Sequence, residues 1–188
     1  MADTNVLRPN SLAHVVFRTP NIKPMVEFWT TFLGAERVFG DDFIAFLRYD
    51  EEHHRVAIIN EQGTLPKGQP TAGLHHVSFS YSSLGGLLQA WQKRESLGIK
   101  PTWCINHGPT TSIYYKDPDG NGIETQVDNY DTVEEANEFM TGKYFRENPI
   151  GTDFDPINLL ARLDNGEDER AMKIRSEIGA RTGVPAGV

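Results

Sequence analysis

Two histidines and one glutamate stand where their side chains could share a metal ion. His14 is followed by Val-Val-Phe and His76 by Val-Ser-Phe, so each lies in a short β-branched and aromatic run that predicts a strand. Glu124 lies in another such run. If the strands are neighbours, the two imidazoles and the carboxylate form a facial triad that leaves coordination positions open and suits Fe(II) or Mn(II). From spacing alone, the alternative is two core histidines and a surface acid.

Both histidines begin one copy of a pattern that occurs twice. After each predicted strand, apolar residues recur at the spacing of an amphipathic helix, over residues 25–33 and 84–91. Further apolar runs predict strands at residues 43–49 and 55–60 in the first copy, and at 102–105, 112–116 and 122–127 in the second. The chain is therefore predicted to contain two strand–helix–strand–strand–strand units, at about residues 10–62 and 72–130, joined by a linker at 63–73.

The chain beyond residue 130 follows a different, helical pattern. Thr132 and Glu135 form a capping-box signal, which predicts a helix to about residue 145. Asp155, followed by a proline, predicts the start of another helix. Residues 164–188 are charged and end in glycine and proline, so we expect a loose helix that frays. Residues 131–188 are thus predicted to be a helical extension with a flexible tail, acting as a lid or as an oligomer contact.

Composition excludes several classes of function. The formal net charge is −8, from 18 basic and 26 acidic residues, and nucleic-acid binding needs a basic face. The single cysteine, Cys104, excludes an intrachain disulfide and a multi-cysteine metal site, and its place in a predicted strand indicates an inert, buried thiol. Residues 1–5 lack the features of a signal peptide and no apolar run could span a membrane, so we expect a cytoplasmic protein.

The paired units with His14, His76 and Glu124 resemble the vicinal oxygen chelate superfamily, which includes type I extradiol dioxygenases, glyoxalase I and bleomycin resistance proteins. Residues 49–55 and 106–121 most closely resemble the small, one-domain dihydroxybiphenyl dioxygenases. The resemblance covers about residues 10–130. It implies an α+β fold in which two βαβββ units form one cupped mixed sheet, with the C-terminal helices outside it.

The resemblance also implies a metal, a reaction and partners. Fe(II), with Mn(II) as the alternative, would be held by His14, His76 and Glu124 for extradiol cleavage of a catechol-type aromatic diol by dioxygen, in aromatic compound catabolism. Glyoxalase I has a fourth protein ligand on the last strand of its first unit, and the central residues 56–59 here offer none. The alternatives are an oxygen-independent metalloenzyme (an isomerase, lyase or thiol transferase) and a protein that sequesters a small molecule. A homo-oligomer is expected.

Further residues take roles through the same resemblance. Tyr114 stands ten residues before Glu124, where larger extradiol enzymes place a tyrosine that hydrogen-bonds the substrate. Those enzymes also use a histidine upstream of that tyrosine. The equivalent offset falls on Ile105, and the nearby His107 is the candidate for that role. The residues expected to bind substrate are Phe17, Phe79, Trp103, Tyr115 and His53.

Overall fold

The computed structural model describes residues 6–65, 67 and 72–185, in two compact units, Met1–Lys67 and Gly68–Val188. The boundary falls within the linker predicted at 63–73, of which residues 66 and 68–71 lie outside the described residues. The residues 1–5 that we examined for a signal peptide also lie outside them. No helix in the described part of the chain is both long and apolar enough to cross a membrane.

The first unit is a four-stranded sheet covered by one helix. Its elements are β1 (Val15–Thr19), α1 (Ile22–Leu33), β2 (Glu36–Gly40), β3 (Ile44–Arg48) and β4 (Val56–Asn60). The strand order is β1-β4-β3-β2, in which β1 and β4 are parallel and the other pairs are antiparallel. Trp29 of α1 is fully buried and stacks on Phe17 of β1, with ring centroids 4.8 Å apart. Gly34, at φ 63°, ends the helix in the left-handed conformation that favours glycine.

The second unit repeats this order and adds to it. Its elements are β5 (His76–Tyr81), α2 (Leu84–Ser96), β6 (Trp103–Asn106), β7 (Thr110–Lys116) and β8 (Gly122–Asp128). The strands run β5-β8-β7-β6, with β5 and β8 parallel. The apolar side of α2, spaced as predicted, is buried on this sheet at Leu84, Leu87 and Leu88. The α+β class and the two βαβββ units are confirmed.

The C-terminal segment belongs to the second unit. It contains α3 (Val133–Thr141), α4 (Lys143–Glu147), β9 (Thr152–Asp153), α5 (Pro156–Asp164) and α6 (Glu169–Lys173). The short strand β9 pairs with β6 and becomes the fifth strand of the sheet. Glu169 of α6 accepts hydrogen bonds from the backbone N–H groups of Leu84 and Gly85, so its carboxylate caps the N-terminus of α2.

Two expectations about the architecture are corrected. The strands form two sheets, of four and five strands, rather than one cupped sheet, because β1 and β5 each pair with the last strand of their own unit. The segment after residue 164 is also more ordered than predicted. Arg175 is buried, with 1% of its side chain exposed, and Arg181 forms an ion pair with Asp153 of β9 at 2.8 Å. Arg175 bonds to carbonyls of the neighbouring turn and loop, and Arg181 bonds to β9, so these parts of the segment pack on the second unit instead of fraying.

Candidate active site

Strand register in the second unit places three polar side chains in one row. Glu124 of β8 lies opposite Tyr114 of β7 and beside Ser78 of β5. His76 precedes Ser78 by two residues, so it faces the same side of the sheet. Its ring lies edge-on to the Tyr114 ring, with centroids 5.4 Å apart. Three of the predicted site residues, His76, Tyr114 and Glu124, are therefore brought together.

The contact between His76 and Glu124 is the centre of this group. Nε2 of His76 lies 3.1 Å from Oε2 of Glu124, whose side chain is only 7% exposed. Nδ1 of the same ring lies 2.8 Å from Nδ1 of His75. Through this contact, His75 helps to orient the ring of its neighbour. When a hydrogen bond at Nδ1 holds a histidine ring, Nε2 is free to bind a metal ion, and this is the usual arrangement for a histidine ligand.

Glu124 is charged at neutral pH despite its burial. Burial alone would raise its pKa, but hydrogen bonds from His76, Ser112, Tyr114 and Ser78 outweigh that effect and lower the pKa to about 2. A buried carboxylate with this many hydrogen-bond partners is held in a fixed position. A carboxylate in this setting is suited to bind a cation.

Tyr114 and His107 extend the group by a chain of hydrogen bonds. The Tyr114 hydroxyl donates to Oε1 of Glu124 at 2.9 Å and lies 2.9 Å from Nε2 of His107. Burial and the Glu124 charge raise the pKa of Tyr114, and burial lowers the pKa of His107. Both groups are therefore neutral at neutral pH. His107, proposed from the sequence although it stands off the strict offset, contacts Tyr114 as that role requires.

The ring of His107 has a defined tautomer. Its Nδ1 lies 2.5 Å from the backbone carbonyl oxygen of Ile150, which can only accept, so Nδ1 carries the hydrogen. In the neutral ring Nε2 then holds a lone pair facing Tyr114. The single hydrogen of the Tyr114 hydroxyl thus has two acceptors, Glu124 on one side and His107 on the other. Sequence reasoning missed Ile150, because a backbone carbonyl leaves no residue-type signal.

The donors in the second unit fit a divalent cation. Two ligands at about 2.1 Å from one ion and at right angles lie about 3.0 Å apart, close to the 3.1 Å between Nε2 of His76 and Oε2 of Glu124. One imidazole and one carboxylate are hard or borderline donors of the kind that Fe(II) and Mn(II) accept. Within the described residues of either unit taken alone, no three His, Cys, Asp or Glu side chains gather to hold a metal ion. A complete triad therefore needs a ligand beyond this pair.

His14 holds the equivalent place in the first unit. It directly precedes β1 as an exposed residue, and its ring packs on that of His54, with centroids 4.6 Å apart. Nδ1 of His54 lies 2.6 Å from Nδ1 of His53. Burial and the neighbouring His53 and His14 lower the pKa of His54. His53, expected to bind substrate, contacts His54 and lies 3.3 Å from the carboxylate of Glu52.

Comparison of the two registers shows which copy carries the carboxylate. Val16 pairs with Ala57 in the first unit as Ser78 pairs with Glu124 in the second. Ala57 in turn lies opposite Phe46, where Glu124 lies opposite Tyr114. The first unit thus repeats the histidine but replaces the carboxylate by a methyl group. This agrees with the sequence expectation that β4 supplies no further ligand.

The aromatic residues expected to bind substrate lie in different surroundings. Trp103 is 8% exposed and stacks on Tyr114 at 5.3 Å, so it supports that ring from within the core. Tyr115 follows Tyr114 and faces the other side of the sheet, 5.4 Å from the Arg94 guanidinium of α2. Phe79 alternates with Ser78 and also faces away from Glu124. Phe17 packs on Trp29 in the first unit. Within the second unit, the structure brings Trp103, but not Tyr115 or Phe79, to the Glu124 row.

Cys104 is expected to be unreactive in the native protein. Burial first, and then the charges of Asp155 and Asp153, raise the pKa of its thiol to about 12. At about pH 8 only about one thiol in ten thousand is then ionised. Iodoacetamide followed by mass spectrometry should leave the native chain unmodified and label it fully after denaturation. Rapid labelling of the native chain would contradict this prediction.

Comparison with known proteins identifies the family of the chain and several of its relatives. Residues 11–125 match the family described as the Glyoxalase/Bleomycin resistance protein/Dioxygenase superfamily. The chain is 41% identical to Biphenyl-2,3-diol 1,2-dioxygenase 2 of Rhodococcus globerulus over 82% of each chain. It is 38% identical to Biphenyl-2,3-diol 1,2-dioxygenase 3 of the same organism over 88% of each chain. In fold alone, it is similar to lactoylglutathione lyase from Agrobacterium tumefaciens, with a TM-score of 0.52 at 16% identity over 63% of this chain and 94% of that chain.

Proposed function

Since the chain belongs to the glyoxalase/bleomycin resistance/dioxygenase superfamily, we propose that it is a metal-dependent extradiol dioxygenase, which opens the ring of a catechol-type aromatic diol with dioxygen. The observation that carries the proposal is the hydrogen-bonded chain His76–Glu124–Tyr114–His107. It joins an imidazole and a negatively charged carboxylate, a pair suited to a metal ion, to two neutral groups that can exchange a proton. A binding protein that only sequesters an aromatic molecule has no need of this chain.

We propose Fe(II), with Mn(II) as the alternative, as the resident metal. His76 and Glu124 would supply two ligands, and His14, the equivalent of His76 in the first unit, the third. When bound, the metal supplies a centre at which the diol and dioxygen meet and exchange electrons. Both oxygen atoms of dioxygen enter the ring-opened product, so the reaction consumes no external reductant.

The residues around the proposed metal ligands would donate and accept the protons of the reaction. The Tyr114 hydroxyl lies at hydrogen-bond distance from Glu124, so it is placed to donate to a substrate oxygen held at that carboxylate. Nε2 of His107 carries the lone pair that can accept the proton which Tyr114 or the diol gives up. Trp103 and Ile150 pack with Tyr114 in one hydrophobic cluster, which fixes the position of its ring. Fixed donors need little reorganisation during the reaction.

Oxygen uptake tests the proposed function directly. Protein reconstituted anaerobically with Fe(II) is mixed with catechol, 3-methylcatechol or 2,3-dihydroxybiphenyl in aerated buffer. We expect oxygen consumption in step with a yellow ring-opened product, and loss of both in the His14→Ala and His76→Ala proteins. A His75→Ala protein, which keeps all three proposed ligands, should retain measurable turnover.

Other outcomes favour the alternatives. Bound metal without oxygen uptake would favour an oxygen-independent isomerase, lyase or thiol transferase. Absence of both metal binding and uptake would contradict the triad and favour a sequestering protein. The alanine at position 57 already counts against a glyoxalase-type site, because a fourth protein ligand would stand on β4.

A further inference from the structure

The C-terminal segment contacts the turn that carries His107 at several points. The side-chain nitrogen of Asn106 donates to the carbonyl of Lys173 at 2.9 Å. The ring of Phe139 lies so close to Gly108, at φ 104°, that a Cβ there would overlap it. The Ile150 carbonyl accepts from His107 itself. This turn is therefore enclosed by residues of the C-terminal segment, which lie beyond the residues 11–125 that match the family model.

A buried asparagine fixes the direction of the Ile150 carbonyl. Asn148 is 1% exposed, and its Oδ1 accepts from the backbone N–H groups of Ile150 at 3.2 Å and Gly151 at 2.8 Å. Its Nδ2 donates to the carbonyl of Gly151 at 3.0 Å. Gly151, at φ 119°, packs against Asn106 so closely that a Cβ would overlap the Asn106 carbonyl oxygen. The loop of residues 148–151 is thus locked in a conformation that aims one carbonyl at His107.

The guanidinium of Arg175 ties this loop to the backbone of His107. One nitrogen, Nη1, donates both to the carbonyl of His107 at 3.1 Å and to the carbonyl of Asn148 at 2.8 Å. Nη2 donates to the carbonyl of Tyr144 at 3.1 Å and to the carboxylate of Glu177 at 2.8 Å. Burying a charge is costly unless it is paired and fully hydrogen-bonded, and here the pairing requirement is met. Only the planar five-donor fork of arginine can serve this many acceptors at once.

We propose that Arg175 is a positioning residue, which holds His107 against the Ile150 carbonyl and thereby keeps its ring in the Nδ1–H tautomer with Nε2 facing Tyr114. The inference rests on the proposed function, since it gives His107 its part in proton transfer. Arg175 contacts the backbone of His107 and the 148–151 loop, and it reaches the reacting groups only through them. Loss of the guanidinium should therefore free the ring to flip or change tautomer without removing a reacting group.

The test measures the ring itself in the metal-free, full-length protein. Long-range ¹H–¹⁵N spectra of the histidine rings, assigned with a His107→Gln protein, report which nitrogen carries the hydrogen. We expect a single Nδ1–H form in the wild type and a mixture of tautomers in Arg175→Met. Arg162→Met, which removes the surface pair with Glu167, is the matched control and should leave the spectrum unchanged. In the Fe(II)-loaded protein, Arg175→Met should lower kcat about 10–100-fold with KM unchanged, the range seen for partners of site residues.

The outcomes separate this inference from the proposed function. An unchanged single tautomer in a folded Arg175→Met protein would overturn the positioning role, whatever the activity. Absence of oxygen uptake in the wild type would contradict the proposed function, but the tautomer measurement would still test the positioning role of Arg175. If the methionine protein fails to fold, Arg175→Lys makes the same test, because lysine keeps the charge beside Glu177 but cannot serve the carbonyls of His107, Asn148 and Tyr144 at once. There, too, a mixture is expected, and a single Nδ1–H form would contradict the inference.

Discussion

The Glu124→Gln protein is expected to lose at least about 1,000-fold in ring-cleaving turnover and most of its Fe(II) affinity. Glutamine keeps the size of the side chain and an acceptor oxygen, but it removes the negative charge. The structure gives this charge an unusual setting, with only 7% of the side chain exposed and a pKa lowered to about 2 by its hydrogen-bond donors. A neutral amide in the same place would leave an incoming cation without its charged partner.

Metal analysis and oxygen uptake on the same preparation check this prediction. The metal-free variant should still unfold cooperatively, because the row of hydrogen-bonding groups around position 124 is retained. Glu95→Gln is the matched control, since Glu95 pairs with Lys100 at the surface of α2. A Glu124→Gln protein that binds Fe(II) and turns over within about tenfold of the wild type would show that the carboxylate is not a ligand.

Tyr114→Phe is expected to lower kcat by about 100- to 10,000-fold while Fe(II) binding is retained. The change removes one hydroxyl that contacts both Glu124 and His107 at 2.9 Å, so the proton path between these residues is interrupted. The phenyl ring can keep its stacking on Trp103. Two buried acceptors lose their partner, and we expect the free energy of unfolding to fall by about 1–3 kcal/mol.

Steady-state kinetics with 3-methylcatechol and urea unfolding measure the two effects separately. Tyr81→Phe is the control, because Tyr81 of the same sheet also loses a buried hydrogen bond, with Arg94 at 2.6 Å, but lies on the helix-facing side. The two variants should be destabilised alike, and only Tyr114→Phe should lose turnover. Equal turnover in both would mean that the Tyr114 hydroxyl has a structural role alone.

The repeated units could be predicted from the sequence because most of their strands and helices bury one side, which gives a regular spacing of apolar residues. The first strands carry alternating residues and the helices carry a continuous apolar stripe, so both left a clear signal. Strand β2 did not, since four of its five residues are exposed and no alternation marks it. The sequence did not reveal that each first strand pairs with the last strand of its own unit, because these strands are far apart in the chain. The pattern of apolar residues would be the same for one sheet or for two.

Part of the candidate site could also be predicted from the sequence. Tyr114 and Glu124, ten residues apart on adjacent strands of a tight hairpin, had to lie opposite each other once the hairpin formed. The rest depends on groups without a residue-type signal. Any residue at position 150 supplies a carbonyl, and Arg175 lies in a charged stretch whose composition indicated a solvated tail. Its burial could be recognised only in the structure, where backbone carbonyls accept its hydrogen bonds and the Glu177 carboxylate pairs with its charge.

The position of the Ile150 carbonyl and Arg175 late in the sequence has a consequence for biosynthesis. A ribosome emits the chain from its N-terminus, and units fold as they emerge. The nascent second unit can therefore assemble β5 to β8, with Glu124 and Tyr114 in place, while its outer edge at β6 is still open to other chains. Translation through residue 175 closes that edge with β9 and brings in the groups that hold His107. Under the proposed function, competence for turnover is thus acquired last, and a prematurely terminated chain would carry the proposed ligands Glu124 and His76 without a fixed His107 to accept the proton.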